Sequence, residues 1–103
     1  MGSPEFAIPS LLNLIESEHK ILCVYTQPPK KKSRGHKISK TPVHLFSEKS
    51  NLIVKTNKLT QDQEYKEFIN FKPDLVVVVA YGQIIPEKYL NIPNLIFLNL
   101  HAS

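Results

Sequence analysis

Residues 75–80 read Leu75-Val76-Val77-Val78-Val79-Ala80 and run into Tyr81-Gly82-Gln83. Six consecutive apolar residues, four of them β-branched, are too apolar for a sheet with one face in water. They predict a strand covered on both sides, which is the habit of a parallel sheet with crossover helices. Pro73-Asp74 breaks the chain before this strand, and the glycine of Tyr81-Gly82-Gln83 turns it afterwards. Toward the C-terminus, Ile85-Pro86 opens a short helix through Leu90, and Pro93 closes it. Leu95, Ile96, Phe97, Leu98 and Leu100 then predict a short buried strand.

Toward the N-terminus the same alternation continues. Thr60 and Gln63 have capping-box spacing before a helix to about Asn70 that is expected to bury Tyr65, Phe68 and Ile69. A short strand is predicted over 52–55. Thr41-Pro42 reads as an N-cap and first-turn proline, with Val43, Leu45 and Phe46 on one side of a helix ending near Lys49. A strand is predicted over 20–26. Ile8, Leu11, Leu12 and Ile15 recur at helical spacing in a helix over 9–18, with Pro9 in its first turn. Helices alternating with strands define the fold class: α/β, a Rossmann-like parallel sheet with crossover helices.

At 103 residues the chain is at most one small domain, and 42% apolar residues can supply a core. The net charge of +4 is uneven. No acidic residue lies between Glu18 and Glu48, and residues 30–40 hold six of the thirteen lysines and arginines. Such a block either binds polyanions or is a solvated loop. It falls in QPPKKKSRGHKISK, residues 27–40, which reads as a long structureless loop. The one cysteine, Cys23, sits in an apolar run and reads as a small buried hydrophobe. His19, His36, His44 and His101 are scattered, which argues against a zinc site, and no metal is expected. There is no G-x-G-x-x-G, P-loop or G-x-S-x-G motif. No stretch is apolar enough to span a membrane and no secretory leader is evident, so a cytoplasmic protein is expected, or one in an organelle matrix if a transit segment was removed.

Asn99 and His101 interrupt the last apolar run two residues apart, so in a strand they project from one face. An unpaired polar group in a fully apolar setting costs about 2–7 kcal/mol. In open α/β sheets ligands bind beyond the carboxyl ends of the strands. From spacing alone two readings stand: a site, or a solvated loop after the strand. Met1–Phe6 (MGSPEF) also has two readings, a cloning junction or a natural turn into the first helix.

Several stretches occur together in one order: Gly2-Ser3-Pro4-Glu5-Phe6-Ala7-Ile8-Pro9-Ser10, Thr26-Gln27-Pro28, Arg34-Gly35, Thr41-Pro42-Val43, residues 79–86 (VAYGQIIP) and Asn99-Leu100-His101-Ala102-Ser103. Over essentially its whole length the chain resembles the N-terminal part of the methionyl-tRNA formyltransferases. The continuity of Ala7-Ile8-Pro9-Ser10 with that pattern favours the natural turn for MGSPEF. The resemblance implies formyl transfer from 10-formyltetrahydrofolate to the amino group of methionyl initiator tRNA, in translation initiation. It implies Asn99 and His101 as two of three catalytic residues, the third being an Asp beyond residue 103. It implies a folate site bordered by Val79, Ala80, Tyr81, Gly82 and Ile85. It assigns tRNA contacts to Lys30, Lys31, Lys32, Arg34, Lys37 and Lys40, and a usually monomeric state. The run Lys30-Lys31-Lys32 departs from the family's loop, which has fewer consecutive lysines.

The resemblance further implies that residues 1–103 are a partial formyltransferase domain. The family's central first strand is represented only by its last residues, Met1-Gly2, and a C-terminal tRNA-binding barrel lies outside these residues. Without that strand, the strands at 20–26 and 75–80 are expected to lose their shared neighbour and expose unpaired backbone groups. The 103 residues alone are therefore expected to be inactive. Other readings are a sugar-nucleotide formyltransferase or formyltetrahydrofolate hydrolase, which share Asn-x-His, and a non-catalytic RNA-binding module using only the basic loop. A dinucleotide-binding protein is disfavoured by the missing glycine fingerprint.

Overall fold

The computed structural model describes residues 1–31 and 37–100. A single 3-10 turn, Glu5–Ala7, leads into α1 (Ile8–Glu16), with Pro9 in the first turn as expected. There follow β1 (Val24–Tyr25), β2 (Lys30–Lys31), β3 (Ile38–Ser39), α2 (Pro42–Lys49), β4 (Val54–Lys55), α3 (Asp62–Asn70), β5 (Leu75–Val78), α4 (Glu87–Leu90) and β6 (Ile96–Asn99).

β1 pairs in parallel with β4, and β5 in parallel with β6. Met1 and Gly2 join the two pairs. The Gly2 N–H donates to the Tyr25 carbonyl at 2.9 Å, and the Val79 N–H donates to the Met1 carbonyl at 2.8 Å. The Met1 amine donates to the Val77 carbonyl at 2.8 Å. The spatial order is thus β4, β1, Met1–Gly2, β5, β6. Gly2 is required for its lack of a side chain: a Cβ there would lie 2.8 Å from the Val79 carbonyl oxygen and 3.2 Å from the Ala7 Cβ. A groove of about 350 Å³ is lined in part by Leu22, Cys23, Leu75 and Val76.

Strand alternation sends side chains into two cores. Tyr25, Val76 and Val78 meet Phe68 of α3 and Tyr89 of α4 on one face, together with Leu59 and Tyr81. Val24 and Val79 meet Leu11 of α1 and Val43 of α2 on the other, with Ala7. The result is helix, sheet, helix, the layering of a Rossmann-like α/β domain. The first core is aromatic: Phe68 and Tyr65 each approach the Tyr89 ring edge-on at 5.0 Å. Such pairs add about 0.5–1.5 kcal/mol beyond area burial.

Thr41 caps α2 as its sequence predicts, accepting from the His44 N–H at 3.0 Å. Other expectations are corrected. The strand predicted over 20–26 is ordered as strand only at Val24–Tyr25, because β4 offers just Val54–Lys55 for pairing. Residues 27–40 are not structureless: β2 and β3 form an antiparallel stem, with Lys30 opposite Ser39 and Lys31 opposite Ile38. The Thr60–Gln63 capping box is not made, since α3 starts at Asp62 with Gln61 as an N-cap lacking a side-chain bond. On α3, Ile69 is 43% exposed, while Glu64 is buried. The last strand is not buried. Ile96 is 61% and Leu98 47% exposed, because they fall on the α1–α2 face and those helices pack over Val24 and Val79, short of β6.

Candidate ligand cleft and basic hairpin

The carboxyl ends of β5 and β6 open into a cleft of about 490 Å³. Val78 and Ala80 follow one another on its side of β5, and Asn99 stands opposite Val78 in register. Leu100 completes the rim, its N–H bonded to the Val78 carbonyl at 2.8 Å. Ile85 and Leu90 supply the α4 wall, and Phe6 closes the far side. The volume lies within the range of about 300–1,000 Å³ usual for small-molecule sites.

The turn after β5 sets the cleft's shape. Ala80 has φ +49° and Gly82 φ +84°, both left-handed. For alanine this conformation costs about 1–2 kcal/mol, and such strain concentrates at ligand sites. Glycine suits residue 82 because of this backbone conformation, and the Gln27 amide lies where a Cβ would stand, so a larger residue would displace that side chain. The Gln27 side chain therefore lies directly against the turn.

The predicted site residues are distributed as follows. Ala80, Tyr81, Gly82, Ile85 and Asn99 all line the cleft. Tyr81 does so from the backbone outward: its ring is in the core, and its hydroxyl lies 3.4 Å from the Gln83 Oε1. Burial, and then the charge of Glu64, push the Tyr81 phenol up to about 12, so it stays protonated at neutral pH. The Val79 side chain turns into the α1–α2 core, away from the cleft. Phe6, Val78, Gln83, Leu90 and Leu100 line the cleft and were not singled out from sequence. The signal for Val78 is its place at the end of the apolar run, beside the 79–86 stretch. His101 lies outside the described residues.

The basic block is carried by the β2–β3 stem. Lys30, Lys31 and Lys37 are exposed on it. Lys32 and Arg34 lie outside the described residues. Lys40 is committed elsewhere: its Nζ bonds both Glu48 carboxylate oxygens, at 2.9 and 3.0 Å, and this bond holds the Glu48 carboxyl below its ordinary range. Its charge is partly matched by Glu48, whereas Lys30, Lys31 and Lys37 have no ion-pair partner among the described residues. Among the described residues no group of three His, Cys, Asp or Glu could hold a metal ion, and no helix is long and apolar enough to cross a membrane.

A parallel α/β sheet with helices on both faces, opening at its strand ends into a cleft walled by apolar side chains and the amides of Gln83 and Asn99, defines a Rossmann-like α/β domain with a ligand-sized cleft. Comparison with known proteins makes the assignment specific. The chain belongs to the formyl transferase family, whose model matches residues 1–103. It is 48% identical over 105 residues to a protein of Pelagibacter ubique named methionyl-tRNA formyltransferase, covering 100% of this chain and 34% of that protein. Proteins of the same name from Paramagnetospirillum magneticum and Ehrlichia chaffeensis are each 45% identical, over 104 and 106 residues, covering 34% and 35% of their lengths. The chain thus spans about a third of the length of the curated relatives it matches.

Proposed function

We propose that this chain supplies the formyl-donor site, and part of the tRNA-binding surface, of a methionyl-tRNA formyltransferase. The observation that carries the reading is the cleft at the ends of β5 and β6, walled by Ala80, Gly82 and Asn99, in a member of the formyl transferase family. The donor is 10-formyltetrahydrofolate. The cleft's volume and its walls (Val78, Ile85 and Leu90 around a strained backbone turn) suit a flat heterocycle held by backbone groups at its edge. Bound there, that molecule supplies the formyl group to the amine of the methionyl residue.

Of the two side-chain amides at the cleft, Asn99 is the one carried by a strand end, while Gln83 accepts from the Tyr81 hydroxyl. The Asn99 side-chain N–H donates toward the formyl oxygen, where negative charge develops as the amine nitrogen bonds to the formyl carbon; the bond from that carbon to the folate nitrogen then breaks, and the proton lost by the amine goes to the departing nitrogen. A donor of this kind typically contributes about 10²–10³ in rate. His101, two residues on, is assigned as the second such group and as a route for the amine's proton. Lys30, Lys31 and Lys37 contact tRNA phosphates from the hairpin stem, with Lys32 and Arg34 between them. Phosphate contacts supply affinity and salt dependence, while an arginine fork can also reach base edges. Lys40 contributes less, being bonded to Glu48. The residues 1–103 act as part of a larger catalytic unit.

The test is a chimera in which this chain replaces the matching third of the Pelagibacter ubique protein. With 10-formyltetrahydrofolate and methionyl initiator tRNA, the chimera is expected to formylate within about tenfold of the parent, and Asn99→Ala to lower its rate about 10²–10³-fold. A folded chimera without formylation, beside an active parent, would overturn the proposal.

A further inference from the structure

The cleft turn and the two roots of the basic hairpin meet on a buried line of hydroxyls. Ser3 Oγ donates to the Tyr81 carbonyl at 2.8 Å and accepts from the Gln27 N–H at 3.1 Å. Thr26 Oγ1 donates to Ser3 Oγ at 3.4 Å and lies 2.6 Å from Thr41 Oγ1. Thr41 Oγ1 in turn accepts from the His44 N–H at 3.0 Å, capping α2. Ser3 and Thr26 are buried, Thr26 completely. A carbonyl can only accept, so the Ser3 proton must point at Tyr81. Thr26 then donates to Ser3, and Thr41 donates to Thr26. Every hydroxyl proton runs one way, from the α2 cap to the cleft, and chains of this kind strengthen cooperatively.

The line ties specific places together. Tyr81 is the residue before the left-handed Gly82 of the cleft wall. Gln27 is three residues before the stem strand β2, and its side chain lies against Gly82. Thr41 is two residues after β3. A ligand that shifts the Tyr81–Gly82 turn must move Ser3 and Gln27, and with them both ends of the hairpin. We infer that Ser3, Thr26 and Thr41 are positioning residues that couple the cleft to the basic hairpin, so that a pterin-type ligand in the cleft and an RNA on the hairpin raise each other's affinity. This rests on the donor-cleft reading for the identity of the two ligands, but the coupling of the two places rests on the hydroxyl line alone.

Thr26→Val removes the middle hydroxyl at nearly constant volume, Thr26→Ser restores it, and Ser3→Ala cuts the line at its cleft end. Without ligand, Thr26→Val is expected to shift the ¹⁵N–¹H signals of Gln27, Gly82 and His44 together, with Thr26→Ser returning them. Shifts confined to one end of the line would overturn the coupling, and Ser3→Ala answers the same question if Thr26→Val fails to fold. With ligands, saturating tetrahydrofolate is expected to tighten binding of methionyl initiator tRNA about fivefold or more. Thr26→Val should lower that factor below about twofold while leaving each Kd alone within about threefold, a pattern that simple loss of stability does not produce. An unchanged factor in Thr26→Val, or none in the unaltered protein, would overturn the inference. Absence of tetrahydrofolate binding would contradict the donor-cleft reading instead, and the amide shifts would then decide the coupling.

Discussion

Lys55→Met is the most demanding test of how this small fold holds together. Glu64, on α3, is 1% exposed, yet it carries a carboxylate into the aromatic core. Its Oε2 accepts from the Tyr25 hydroxyl at 2.6 Å and lies 3.2 Å from Lys55 Nζ, while Oε1 has no hydrogen-bond partner among the described residues. Lys55 also reaches Glu67 at 2.7 Å, but that carboxylate is 42% exposed, and such a contact is worth about 0–1 kcal/mol. Methionine keeps the Lys55 side chain out to Cε and removes the ammonium group, leaving Glu64, among the described residues, with the Tyr25 phenol as its side-chain donor. Breaking a buried pair from one side costs about 3–5 kcal/mol, a large share of the roughly 5–15 kcal/mol available to a domain. In urea at pH 7, with a slope near 1.5 kcal/mol/M, the unfolding midpoint should fall by about 2–3 M. Adding Glu64→Gln, which keeps an acceptor for Tyr25 and removes the stranded charge, should recover at least about 2 kcal/mol. A loss under about 1 kcal/mol in Lys55→Met, or no recovery in the double variant, would refute the reasoning.

Three further outcomes are expected. Burial, then Glu64, raise the phenols of Tyr25 and Tyr89, and Tyr81 and Tyr89 are pushed up to about 12 from an ordinary 10. Burial likewise pushes the Cys23 thiol from 9.0 up to about 11. These groups hold their protons more tightly folded than unfolded, so their stability contribution is intact below pH 9 and falls as pH rises through 9–12. Absorbance at 295 nm should therefore rise together with loss of far-ultraviolet ellipticity, and separate gradual titration of a folded chain would contradict this. Gly82→Ala forces a side chain into a left-handed backbone and should cost about 1–2 kcal/mol, read as a lower urea midpoint and weaker tetrahydrofolate binding; an unchanged midpoint would count against the left-handed turn. Replacing Lys30 or Lys31 by alanine should weaken RNA binding and reduce the slope of log K against log salt by about one each, whereas Lys40→Ala should change it less; equal effects would remove the distinction drawn from the Lys40–Glu48 pair.

The alternation of helix and strand, the Thr41 cap and the β5 run were legible because each is a local pattern with a local cause. Residues 75–80 are apolar on both faces, and both faces are indeed used, by Phe68 and Tyr89 on one side and Leu11 and Val43 on the other. What the pattern could not carry was context. Ile96 and Leu98 look like core residues, but their exposure depends on how far α1 and α2 extend across the sheet. Glu64 reads as the polar face of α3, and only the approach of Tyr25 and Lys55 from other strands brings it inside. The stem at Lys30–Lys31 has no apolar alternation to betray it, being held by backbone pairing with Ile38–Ser39. At the candidate site, sequence directed attention to the Tyr81–Gly82 turn and to Asn99, whose proximity is a tertiary fact supplied by the β5–β6 register. The contiguous stretch at 79–82 is not a contiguous wall, since the Val79 side chain packs in the α1–α2 core while Ala80 and Gly82 line the cleft. Ser3, Thr26 and Thr41 carry no signal singly, since their meaning lies in meeting.

The central claim is that the cleft at the ends of β5 and β6 holds the formyl donor. Amide hydrogen exchange with and without saturating tetrahydrofolate tests it most directly. The account predicts slowed exchange at Ala80, Tyr81, Gly82, Asn99 and Leu100, with no change along the groove edges at Leu22, Cys23 and Val76. Protection at the groove edges with none at Ala80, Gly82 and Asn99 would contradict it.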